Sequence, residues 1–167
     1  TTNAGDTAPG RGVQRMRDIW RETRKLEKQG LTWEWINEQA LNSASFEDGV
    51  LQVGQLRARG ILLHGITAVG PDVAENLATL VEEGLPVKVS GNAPLRQHGL
   101  RDWENGDLRV SQAFLSMPTV AAFAPGPIQF THPQVKSLRR RLANGDLIQF
   151  FSNPAPQATT LMVQLSQ

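Results

Sequence analysis

GILLHGITAVGPDVAENLATLVEEGLPVKVSGNAP, residues Gly60 to Pro94, is the stretch that decides the fold. Gly60–Ile66 is a short apolar run bounded by glycine, long enough for a strand and too short for a helix. Gly70 followed by Pro71 suits an N-cap and a first helical turn, where proline gives up no hydrogen bond. Asp72 and Glu75 fall in that turn, where negative charge complements the helix dipole. Val73, Leu77, Leu80 and Val81 then recur at helical spacing and form one apolar face. Gly84 ends the helix, because glycine enters the left-handed region without strain. Leu85–Val89 resumes a strand pattern, with Pro86 near its start. Strand, helix and strand in close succession is the repeating piece of an α/β domain, so a parallel sheet flanked by helices is expected.

Working outward, the totals bound the class. A chain of 167 residues, 40% hydrophobic, is long and apolar enough for one real core, or a core with an appendage. A net charge of +1 provides no global field for nucleic acid or a membrane surface. No apolar run approaches the roughly 20 residues of a spanning helix. Cysteine is absent, which removes disulfides, thiolate metal sites and cysteine nucleophiles together. The opening TTNAGDTAPG has neither methionine nor a signal pattern, and reads as a processed end or a piece of something longer.

Towards the N-terminus, residues 1–12 form a polar, glycine-rich lead-in, and Val13 to Lys28 a charged amphipathic helix. Arg11 to Lys28 holds seven basic and three acidic residues, a solvated helix face rather than a nucleic-acid surface, since no motif accompanies it. Gly30 breaks that helix, and Thr32 is placed to cap a second one from Trp33 to Leu41. Trp33 and Trp35 there are candidates for interface contacts, with a sugar-stacking platform as the alternative. Phe46–Glu47 and Val50–Val53 flank Asp48-Gly49, a hairpin with a primed turn. Towards the C-terminus, Asn92 to Asp107 reads as a polar loop, Arg109–Met117 as a short helix, and Thr119–Phe123 as a buried strand before the breaker at Ala124–Pro127. The last forty residues lose the α/β rhythm. Val135–Leu142, the turn Asn144-Gly145, Asp146–Ser152 and Thr159–Leu165 read as an antiparallel β-meander. The divisions expected are 1–30 for the lead-in and helix, 31–128 for the α/β domain and 129–167 for the meander.

Few groups invite chemistry. Of three histidines, His64 lies near the carboxyl end of the central strand, where open α/β sheets bind ligands. His98 and Asp102 fall on the same edge, so a site from His64, Asp72, His98 and Asp102 is geometrically open, against local hydrogen bonding as the plainer role. His132, before Pro133, reads as a surface residue. Ser90 sits where a strand meets a loop, but a nucleophile elbow needs glycine two residues either side, and Lys88 and Asn92 stand there. Gly65 to Gly70 contains neither G-x-G-x-x-G nor a P-loop lysine. Asp102, Glu104 and Asp107 lack the spacing of an EF-hand and read as a solvated acidic loop. No cofactor and no metal is expected.

The order of these pieces resembles a known family. The segments are Trp33-Glu34-Trp35-Ile36-Asn37-Glu38-Gln39-Ala40-Leu41, the Asp48-Gly49 hairpin, the Pro71 helix with its Gly84–Val89 return, Gly91-Asn92-Ala93-Pro94, and Asp146–Asn153. Together they are similar to the amidotransferase-like accessory domain of large bacterial glycoside hydrolases of the α-L-rhamnosidase type. The β-galactosidase trimerisation domain is a more distant cousin. The resemblance implies a flavodoxin-like domain beside a catalytic barrel, followed by a β-sandwich that begins near Leu147–Asn153. It also implies a periplasmic or secreted parent. Glutamine amidotransferases carry a cysteine nucleophile after a central strand; Ser90 or Asn92 stands near that place here, so that activity is excluded. No catalytic residue carries over, because the glycosidase acid and base belong to the barrel. The expectation is a non-catalytic accessory domain that packs on a barrel or a partner subunit. His64, Asn92, His98, Asp102 and Trp103 are its ligand-facing candidates. A free-standing carbohydrate-binding or interaction module is the alternative, and a small hydrolase using His64 with Ser90 or Asp102 is the third reading.

Overall fold

A computed structural model describes residues 11–126, 128–130, 134–142 and 144–165. They fall into two compact units. One is Trp35–Phe123; the other joins the described residues up to Glu34 with those from Ala124 onwards. The architecture is mixed α/β, with one parallel strand pair and otherwise antiparallel sheets.

In the second unit, helix α1 spans Arg11–Lys28. The first unit opens with α2, Glu38–Asn42, shorter than the expected Trp33–Leu41 helix. The cap is Asn37 rather than Thr32: the Ala40 N–H donates to Asn37 Oδ1 at 2.8 Å. Asparagine is as strong an N-cap as any, and the aromatic residues before it have little helix preference to oppose a later start. Trp33 and Trp35 therefore precede the helix. Strands β1 (Ser45–Glu47) and β2 (Val50–Val53) form the expected hairpin. Its turn has positive φ at both Asp48 and Gly49, the primed geometry that matches strand twist. A third strand that the sequence pattern did not suggest, β3 (Leu56–Ala58), pairs back on β2.

The βαβ unit follows as expected. Strand β4 (Ile61–His64) and strand β5 (Val87–Ser90) are parallel, in register Ile61 with Val87 and His64 with Ser90. Between them α3 runs Pro71–Glu82, with Gly70 as N-cap. At its end the Gly84 N–H donates to Val81 O and the Leu85 N–H to Leu80 O, both at 2.9 Å. This is the paired closure of a Schellman motif, and Gly84 supports it with a φ of 105°. Val73, Ala74, Leu77, Leu80 and Val81 are buried, so α3 turns its apolar face to a core shared with Leu51, Leu85 and Val87.

Two expectations after β5 are corrected. Helix α4 spans Trp103–Ser116, so the segment read as a loop to Asp107 is helical from Trp103. Gly106 is accommodated within the helix because the Gln97 side chain lies against it, and a methyl group there would collide with that amide. Thr119–Phe123 is not a strand. A single backbone bond, Val120 N–H to Val87 O at 2.8 Å, brings it to β5, and Pro118 and Pro125 flank it where a ladder would need donors.

In the second unit β6 (Ile128–Phe130) pairs antiparallel with β9 (Val163–Leu165). Strands β7 (Lys136–Arg141) and β8 (Leu147–Ser152) form a separate hairpin. The tail is thus antiparallel but not a meander, since β9 adds to β6 rather than to β8. The reason is the segment after β8. Asn153 forms an Asx turn, its Oδ1 accepting from the Ala155 N–H at 3.1 Å. Pro154 and Pro156 then interrupt strand formation. Arg139 reaches from β7 to donate to the Gly30 carbonyl, and partial burial lowers its pKa from the usual arginine value. His132 lies outside the described residues.

Candidate functional site

The carboxyl ends of β4 and β5 set the place to look, because α3 and α4 both begin beyond that edge. His64 and Ser90 end their strands as direct register partners, which puts both side chains on one face. His64 Nδ1 and Ser90 Oγ lie 3.0 Å apart. A base beside a hydroxyl is the first half of a nucleophilic pair. The second half is missing among the described residues: no carboxylate holds the other ring nitrogen, and no elbow glycines flank Ser90. The pair acts as a cross-strand polar lock.

The other candidates are held elsewhere. His98 Nε2 donates to Glu38 Oε1 at 2.6 Å, and Glu38 Oε2 accepts the Gly70 N–H at 3.1 Å. One carboxylate thereby ties the loop before α4 to the start of α3. Asp102 occupies the N-cap position of α4 in the left-handed region, with φ 49° and ψ 42°. Its side chain caps no backbone N–H and instead accepts from Asn105 Nδ2 at 3.0 Å. Asn92 is exposed in the bend after β5, and Trp103 is 52% exposed at the first position of α4. In the second unit, the Trp33 indole N–H donates to Glu27 Oε1 at 3.2 Å. Trp35, 63% exposed, belongs to the first unit. Of His64, Asp72, His98 and Asp102, only Asp72 and Asp102 line a common cleft, and no group of three potential metal ligands exists among the described residues.

What does form is a polar cleft of about 450 Å³ at the N-terminal turns of α3 and α4. Asp72 lines it from α3, Gln97, Arg101 and Asp102 from the preceding loop, and Asn105 and Arg109 from α4. Arg109 clamps its wall, donating to Asp72 Oδ1 at 2.6 Å and to both Glu75 oxygens at 2.7 Å. Gln97 is fixed at both ends: its backbone N–H donates to Asp107 Oδ1 at 2.7 Å, and its Nε2 donates to Arg101 O at 2.8 Å. The sequence reading had Asp72 and Asp102 but missed Gln97, Arg101, Asn105 and Arg109. The acidic pair Asp72 and Glu75, one helical turn apart, was a signal for a basic partner, but not for which one.

The clamp carries a titration. The hydrogen bond from Arg109 holds the Glu75 carboxyl below the usual glutamate value, and the two carboxylates raise the arginine further above its own. A depressed carboxylate pKa contributes stability that is present above the unfolded value and is lost as pH falls through the folded one. Because the pair is largely exposed, that contribution is screened and small. The measurable effect is the midpoint: in a carboxyl NMR titration, Arg109→Ala should move Glu75 upwards, towards the ordinary glutamate value. An unchanged midpoint would show that the clamp does not set it.

No family model, no curated protein and no solved structure matches this chain.

Proposed function

We propose that this chain is a non-catalytic accessory segment of a multidomain glycoside hydrolase of the α-L-rhamnosidase type. In this reading Trp35–Phe123 is a flavodoxin-like, amidotransferase-like unit that packs on the catalytic barrel of its parent. The observation that carries the docking role is a pair of exposed leucines on the outer side of α4, set among Glu104, Ser111 and Gln112. Gly106, Val110, Ala113 and Phe114 are buried on one side of the helix. Leu108 and Leu115, two turns apart on the opposite side, are 54% and 81% exposed. A helix that needs only one core face is ordinarily polar on the other, and exposed leucines in line suit an interface. The barrel as the covering surface is supported by the ordered set of segments from Trp33 to Asn153 described above.

The test begins with the source protein, located by peptides from this chain. It is expected to have a mass far above 18.3 kDa and to hydrolyse rhamnosides or related glycosides. In that protein, Leu108→Asp with Leu115→Asp should loosen the unit, read as faster proteolytic release, while the isolated chain keeps its stability within about 0.5 kcal/mol. A native mass near 18.3 kDa would sink the reading.

A further inference from the structure

We propose that the cleft at the N-terminal turns of α3 and α4 binds a neutral polyhydroxylated molecule the size of a monosaccharide. At about 450 Å³ it falls within the roughly 300–1,000 Å³ usual for small-molecule sites. It lies at the carboxyl edge of the parallel pair, where such sheets receive ligands.

The chemistry of the lining selects the class. Two carboxylates, Asp72 and Asp102, face two guanidinium groups, Arg101 and Arg109, so the side chains of the cleft carry no net charge. Arg109 is engaged with Asp72 and Glu75, which removes it as a receptor for a free anion. An anion drawn to Arg101 would meet the carboxylate of Asp102 beside it. A divalent cation would need several hard oxygen ligands, and no group of three carboxylate or histidine side chains exists among the described residues.

Hydrogen-bonding capacity remains of both kinds. The Arg101 guanidinium has no partner among the described residues. The Gln97 and Asn105 amides each donate, to Arg101 O and Asp102 Oδ2; the Asn105 carbonyl oxygen keeps its acceptor capacity, while that of Gln97 lies against Gly106. Asp102 Oδ1 is likewise open, and the first N–H groups of α4 receive no side-chain cap. A hydroxyl group donates one hydrogen bond and accepts two, so several hydroxyls on one ring match this mixture where a simple ion does not. The site is separate from the α4 face of Leu108 and Leu115, so it stands whether or not the chain docks on a barrel.

The experiment is a titration of the full chain with glucose, galactose and L-rhamnose in turn, with inorganic phosphate as the competing probe. Binding is read by amide NMR shifts and by the fluorescence of Trp103, next in sequence to Asp102. Saturable shifts centred on Gln97, Arg101 and Asn105 are expected with at least one sugar. Arg101→Ala should weaken that binding roughly tenfold, the usual effect of removing a hydrogen bond to a charged group. Asn105→Ala should weaken it less, and Leu115→Ser should leave it unchanged. All three positions are exposed, so an unaltered far-UV spectrum should accompany each variant. No saturable shift with any of the three sugars would overturn the proposal, as would undiminished binding in Arg101→Ala. Tighter saturation by phosphate than by any sugar would also overturn it and make the cleft an anion site.

Discussion

Leu77→Ala should cost the Trp35–Phe123 unit about 3–4 kcal/mol, a central value for leucine truncation in a well-packed core. Leu77 is 1% exposed, and it sits mid-helix between Val73 and Leu80 on the one face that α3 buries. That helix packs on both α2 and α4, so the vacated volume is bounded by elements that cannot all close in together. Both the lost transfer free energy and the residual cavity therefore count. For a unit of this size each kcal/mol lowers the melting midpoint by roughly 4–8 °C. The loss should be measured by urea unfolding, with Trp35 and Trp103 as reporters, and should move the midpoint without changing the slope. Leu115→Ala on the exposed face of α4 is the control and should stay within about 0.5 kcal/mol. A Leu77→Ala cost under about 1 kcal/mol would show that α3 does not organise this core.

The βαβ unit was legible because each of its signals is local. Gly70-Pro71 marks the start of α3, Gly84 its end, and the apolar spacing between them its buried face. Each of those residues acts on neighbours within a turn or two, and nothing distant competes. Where a distant partner decides, the sequence misled. Gly106 looks like a loop residue until Gln97, from the segment before α4, is laid against it. Thr119–Phe123 has strand-like composition, but it gains only one bond from β5, and composition cannot report that. Thr32 was the expected cap of a helix from Trp33, but the helix starts later and Asn37 caps it. The same division runs through the site. His64 and Ser90 were both singled out, and their contact follows from parallel register alone. Glu38 as the partner of His98, and Arg109 as that of Asp72, join segments far apart in sequence, so neither could be read from spacing.

In the other unit, Phe130→Ala should be the most damaging single truncation, at about 3–5 kcal/mol. Its core is thin: Leu26, Phe130 and Val135 are its buried hydrophobic residues among those described, with Thr23 beside them. Phe130 is 3% exposed, on the strand β6 that α1 rests against. Its ring meets Phe151 of β8 edge-on, with centroids 5.5 Å apart and planes at 88°, the arrangement that aromatic quadrupoles favour. One side chain thus connects α1, the β6–β9 pair and the β7–β8 hairpin. At roughly 0.05–0.15 kcal/mol per residue, a unit this small holds only several kcal/mol in total, so the truncation removes most of it. Trp20 and Trp33 lie in this unit and should lose their native fluorescence at lower denaturant, while Trp35 and Trp103 keep theirs. Phe130→Leu separates the two contributions. It retains most of the volume but forfeits the ring contact, so it should cost only about 1–2 kcal/mol. Equal costs for the two variants would assign the stability to the ring contact rather than to burial.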